Sequence, residues 1–348
     1  MTNTPESSSG TSSTNAQGLT PTQAAFVFDA MGEVREEYTD ELCQEMVDSG
    51  LNAIAITLCD PKSYEQRAWE LAIEGIELYN RIIENGPAFW TMATSVADID
   101  RAREEGRIAM FYLFQNSTQF GRDLDSVTRL YDLGVRSSQM TYNHQNWAGA
   151  GCKELNDSGL TKFGHQLVEK MNEVGMLIDL SHAGMKTMAD TIAASKDPVI
   201  VSHSCCMALF DNERNTTDEN IRAIADKGGL FGVTQMRPFM TTETENAVDV
   251  YYEHIEHAIN VAGIEGVCIG SDRDHRRLVL TEEYLDELRA EEGANFKREH
   301  WPLYFEELNS PRRMETIWDA LAKRGMSEGN LEKLFGQNLY RLYSEVVG

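Results

Sequence analysis

The 348-residue chain contains no apolar run of about 18 residues, the length a membrane-crossing helix requires. Its start has neither the basic residues nor the apolar stretch of a signal peptide. Residues 1–22, rich in Ser, Thr, Asn and Gly, read instead as a disordered tail. Cytoplasmic residence without a membrane partner is the expectation. The six cysteines (Cys43, Cys59, Cys152, Cys205, Cys206, Cys268) form no Cys-x-x-Cys pair and no disulfide-framework spacing. Reduced thiols in apolar runs are therefore expected, and the adjacent Cys205 and Cys206 are read the same way despite following His203. Positive charge is scarce too: 31 Lys and Arg stand against 56 Asp and Glu, for a net charge of −25. Such a surface repels nucleic acid and anionic membranes. No Gly-x-Gly-x-x-Gly follows the first strand candidate, which speaks against a dinucleotide-binding sheet.

What the chain does contain is a repeated unit. From residue 26 a short apolar run alternates with a longer amphipathic stretch. The strand candidates are 26–29, 52–58, 108–114, 135–141, 176–181, 198–203, 229–235 and 266–272. Helical patterns between them include Ser63 to Asn85, Asp123 to Leu133, Thr161 to Val174, Gly184 to Ser195 and Glu219 to Lys227. Gly134, Gly175 and Gly228-Gly229 follow helix ends, where a left-handed residue is wanted, and Asp197-Pro198 breaks the chain before the sixth strand. Strands apolar along their whole length imply a parallel sheet covered on its outer face. Eight such units predict a (β/α)8 TIM-type barrel forming one domain over 23–348, with extra C-terminal helices at 312–324 and 328–345.

In such a barrel, function collects at the C-terminal ends of the strands. Those ends carry Asp29, Met31 and Glu33, then Asp60, Gln115 and Asn116, and Tyr142, Asn143 and His144. His182, His203, Thr234, Gln235, Asp272, Asp274 and His275 follow. His182 and His203 end consecutive strands, which lie about 4.8 Å apart, so their imidazoles can share one metal ion. Asp272 is placed to ligate a metal or to move a proton to a leaving group. His275 is expected on a solvent-facing loop. Arg214, beside Asn215 after the sixth strand, has the planar fork that clamps a carboxylate.

The runs MLIDLSH (176–182), PVIVSHS (198–204), Arg214-Asn215 and GSDRD (270–274) resemble the membrane (renal) dipeptidase family of zinc peptidases, relatives of the amidohydrolases. So do GLTKFG (159–164) and GQNLYR (336–341). The resemblance spans about residues 26 to 345 and implies a (β/α)8 barrel that hydrolyses dipeptides, often with a D-residue on the C-terminal side. It implies that His182 and His203 ligate one zinc, that Arg214 holds the substrate carboxylate, with Asn215 beside it in the substrate site, and that Asp272 manages the proton.

Three positions depart from the family pattern. Its His-x-Asp after the first strand is here Met31 and Glu33. Its bridging glutamate is matched by Gln115, and its substrate-facing histidine by Tyr142, with His144 two residues on. A thioether is a poor zinc ligand, and a neutral amide cannot offset two dications. The expectation is one metal ion, Zn²⁺ or alternatively Fe²⁺ or another divalent ion, held by His182, His203 and an oxygen of Asp272, Glu33 or Gln115. A small substrate bearing a carboxylate follows, cleaved by metal-activated water. The alternatives are a one-metal enzyme of changed chemistry (lyase, decarboxylase or non-peptide hydrolase) and a non-catalytic binding protein. A homodimer is expected by family resemblance.

Overall fold

A computed structural model describes residues 18–62, 67–292 and 296–348. Most of the tail expected over 1–22, and the first residues of the helix expected from Ser63, lie outside the described residues.

Among the described residues, nine parallel strands form one sheet: β1 (Val27–Gly32), β2 (Leu51–Thr57), β3 (Trp90–Ala93), β4 (Ile108–Phe114), β5 (Val135–Gln139), β6 (Leu177–Asp179), β7 (Ile200–Ser204), β8 (Leu230–Val233) and β9 (Val267–Ile269). Eight run side by side in the order β1-β2-β4-β5-β6-β7-β8-β9, with helices between them, and make a nearly closed TIM-type barrel. At the C-terminal ends the two edges are joined by backbone bonds, Asp272 N–H to Met31 O at 2.8 Å and Glu33 N–H to Arg273 O at 3.1 Å.

The side-chain pattern explains the curvature. In β2, Ala53 and Ala55 face one way and Ile54 and Ile56 the other; in β4, Ala109, Phe111 and Leu113 alternate with Ile108, Met110 and Tyr112. Both faces are buried, hence the near-continuous apolar sequence. One set, alanines with Phe111 and Leu113, fills the barrel interior, and the other packs on the helices. The interior is plugged from below by the last helix, Asn338–Val346. There the Tyr343 ring lies 4.9 Å from Phe28 and 4.7 Å from Phe111.

The eight barrel strands fall where the apolar runs predict. The helices Lys162–Val174, Met185–Ala194, Asp218–Asp226 and Arg313–Lys323 also match within a residue or two. Gly134, Gly175 and Gly228 have the positive φ that a helix stop needs. Two features differ from expectation. β3 is an additional strand that pairs only with the first half of β4, leaving its second half to β5. The helix expected over 328–345 is interrupted by a π turn at Lys333–Gln337.

Candidate active site

Because every strand is parallel, all the C-terminal ends open on one face. A cavity of about 980 Å³ lies there, lined by Glu33, Gln115, Tyr142, His182, Arg214 and Asp272 among others. Asp60 and Asn143 line it as well, and the fully buried His203 lies just behind, against His182. Two candidate residues stand apart. Asn215 is buried behind the pocket wall, where its amide Nδ2 donates to Phe210 O (2.8 Å) and Phe239 O (2.7 Å), bracing the loop that carries Arg214. His144 is 58% exposed, with Nδ1 3.4 Å from Glu154 Oε1, outside the pocket lining.

The two histidines converge, with their Nε2 atoms 3.1 Å apart. The partners at the other nitrogens decide what that closeness means. Asp179, buried at the end of β6, accepts from Ser181 Oγ (2.9 Å) and from Ser202 Oγ (2.5 Å). With its proton committed to Asp179, Ser202 Oγ accepts from His203 Nδ1–H at 2.7 Å. Asn143 Oδ1 accepts from His182 Nδ1–H at the same distance, 2.7 Å. Both rings therefore carry their proton on Nδ1 and turn a bare Nε2 lone pair toward the other. Burial and the Arg214 charge push both imidazoles well below their ordinary pKa, so no proton relieves the repulsion near neutrality. A cation does: two nitrogens on one tetrahedral zinc lie about 3.3 Å apart. The histidine pair fits a metal ion.

Local strain marks the same place. Among the described residues, the non-glycine positions with positive φ are His182 (65°), Asn246 (50°) and Asp272 (56°). Two of the three are candidate site residues, and such backbone persists only where its surroundings hold it. For Asp272 the hold is Asp29, whose carboxylate accepts from Ser271 N (2.7 Å) and Ser271 Oγ (2.5 Å). Burial raises the Asp272 carboxyl to about 7; Arg214 opposes the rise, and Glu33 and Asp29 add to it.

A second metal position is not built in the same way. Met31 is fully buried in the apolar core beside the barrel interior, not offered to the pocket. Glu33 lines the pocket but is ion-paired with Arg35. Among the described residues no group of three or more His, Cys, Asp and Glu side chains is poised as a metal cage.

His275 does not face solvent as expected. It is buried, with Nε2 3.2 Å from Arg313 Nη2. Arg313 also lies 3.9 Å from the Asp29 carboxylate, so His275 belongs to the support behind Asp272. Arg214 donates through Nη2 to His203 O at 2.8 Å, while its buried Nε has no partner. Tyr142 stacks on His182 with ring centroids 4.2 Å apart. The residue that sequence reading undervalued is Asn143, which fixes the His182 tautomer. Asn143→Ala is expected to weaken metal binding about 10- to 100-fold, read by competition with a chromogenic chelator; unchanged affinity would remove its orienting role.

Comparison with known proteins yields concordant likenesses. Residues 28–283 match the model of the family described as membrane dipeptidase (peptidase family M19). Dipeptidase verJ of Clonostachys rogersoniana is 28% identical over 276 residues, covering 79% of this chain but only 64% of that relative's length. A solved amidohydrolase from Pseudomonas aeruginosa is 31% identical, with a TM-score of 0.84 over 94% of this chain and 98% of that one. A metallopeptidase from Rhodobacter sphaeroides, solved with a phosphinate mimic of the dipeptide L-Ala-D-Ala, shares the fold at 18% identity. Its TM-score is 0.78, covering 92% of this chain and 99% of that one.

Proposed function

The chain belongs to the membrane dipeptidase family of metallohydrolases, and from that membership we propose a one-metal hydrolase cleaving a dipeptide or a related small amide. The observation that carries the reading is the convergence of His182 Nε2 and His203 Nε2, 3.1 Å apart, with Asn143 and Ser202 at the other ring nitrogens. These two nitrogens would hold the ion, with an oxygen of Asp272, Glu33 or Gln115 as the third donor. When bound, a divalent ion such as Zn²⁺ supplies Lewis-acid polarisation of a carbonyl and a water acidic enough to attack at neutral pH.

The chain's own residues supply the rest. Arg214 lines the pocket and orients the substrate carboxylate through its guanidinium fork. Tyr142 covers one face of His182 and narrows the space beside it. Asp272, with its carboxyl near 7, takes a proton on its carboxylate and returns it to the leaving amine. The Rhodobacter metallopeptidase, with its bound dipeptide mimic, supports the dipeptide as the substrate class.

A second reading has one observation in its favour. Met31 and Gln115 stand where the resemblance puts a histidine and a bridging glutamate, so the same pocket suits a one-metal enzyme of changed chemistry on a small carboxylate. A dipeptide panel including D-residues on the C-terminal side separates the two. The expected result is release of free amino acids, abolished by a chelator and restored by Zn²⁺. Inertness toward every dipeptide, with metal present, overturns the peptidase reading in favour of the second.

A further inference from the structure

The pocket carries more positive charge than one carboxylate needs. In a chain where acids outnumber bases 56 to 31, the walls present Arg35, Lys62, Lys153, Arg214 and Lys297. Arg35 is engaged by Glu33, and Arg214 is set beside the histidine pair. Among the described residues, Lys153 and Lys297 have no carboxylate within ion-pair distance. The acids lining the same cavity are Glu33, Asp60, Glu213 and Asp272.

Both lysines stand on fixed backbone. Cys152 N–H donates to His182 O (2.8 Å) and Lys153 N–H to Asn143 O (2.9 Å), which staples the 151–153 turn to the histidine's own strand end. The approach is so close that a Cβ on Gly151 would lie 2.2 Å from Tyr142 O. Lys153 thus lines the same cavity as His182 and His300. Lys297 belongs to the segment that roofs the cavity with His300 and Leu303. That roof is tied down by the buried Arg237, which donates to Pro302 O (2.8 Å), Glu299 O (3.0 Å), Thr241 O (3.1 Å) and Glu243 O (3.1 Å).

We propose that Lys153 and Lys297 form a second anion subsite facing the histidine pair, and that the substrate is a dipeptide with an acidic side chain. Resting on the dipeptidase reading, this narrows its substrate class: Arg214 takes the terminal carboxylate and the two lysines take the side-chain carboxylate. Unpaired cations in a cleft of an anionic protein focus the field on the ligand's second charge.

Binding and turnover test the two layers separately. By calorimetry on the metal-loaded protein, glutarate is expected to bind at least about tenfold more tightly than butyrate. Lys153→Met is expected to erase most of that difference, and Lys153→Glu to reverse it. Lys297→Met checks the second cation. Equal affinity of the wild type for glutarate and butyrate, or a preference that survives in both methionine variants, overturns the subsite. In hydrolysis, X-Glu and X-Asp dipeptides are expected to exceed X-Ala in kcat/KM by a similar factor, expressed mainly in KM. A dicarboxylate preference in binding without cleavage of any dipeptide would leave the subsite standing and sink the peptidase reading instead.

Discussion

Replacing His203 with alanine is expected to empty the metal site and to cost at least about 10³-fold in activity, since the ion's contribution is worth several kcal/mol of transition-state stabilisation. The wild-type protein is expected to carry about one equivalent of divalent metal by elemental analysis, and the variant less than about a tenth. The stoichiometry follows from what surrounds the pair. His203 is fully buried, and its Nδ1 proton is committed to Ser202, so no rearrangement of a neighbour replaces its Nε2. A second ion lacks matching support, because Met31 is packed in the core and Glu33 is held by Arg35. Binding two dications close together also requires a bridging anion, and the amide of Gln115 has none of the charge. Two equivalents in the wild type would overturn this account of Met31 and Gln115. A variant that keeps its metal would show that the facing lone pairs are not the site.

Much of this was legible in the sequence, for physical reasons that also define where legibility stops. The eight barrel strands announce themselves because a strand buried on both faces must be apolar along its length. His182 and His203 stand out because each interrupts such a run at its last position. β3 does not: Trp90–Ala93 is only half buried and borders only half of β4, so its composition carries little strand signal. Met31 aligns with a ligand position, yet whether its side chain turns to the metal or to the core depends on the irregular register between Asp29 and Gly32. His275 looks like a loop residue until Arg313, far along the chain, folds against it. Lys153 and Lys297 are anonymous surface lysines in one dimension. Only the folded chain brings both to the lining of one cavity.

Asp272→Asn is expected to lower activity about 10²- to 10⁴-fold while making the metal-free protein more stable above neutrality. Asparagine is the apt replacement because position 272 has φ 56°, a conformation that Asn tolerates better than most residues. The stability gain comes from the carboxyl group's displaced titration. It is raised by burial from an ordinary value of 3.8 to about 7, against the pull of Arg214. Between those values the folded state keeps the proton and the unfolded chain releases it, so stability declines as pH rises through that window. Above about 7 the cost of the buried charge is complete, up to about 4 kcal/mol. The amide removes that cost, so the chelated variant is expected to melt about 3–6 °C above wild type at pH 8 and level with it at pH 4. A bound metal favours the carboxylate and should shrink the difference, which separates this titration from a packing effect. If the variant keeps more than a tenth of wild-type activity, Asp272 does not carry the proton. If it melts lower at pH 8, the carboxylate is stabilised by Arg214 more than burial penalises it, and the group is held for structure as well as chemistry.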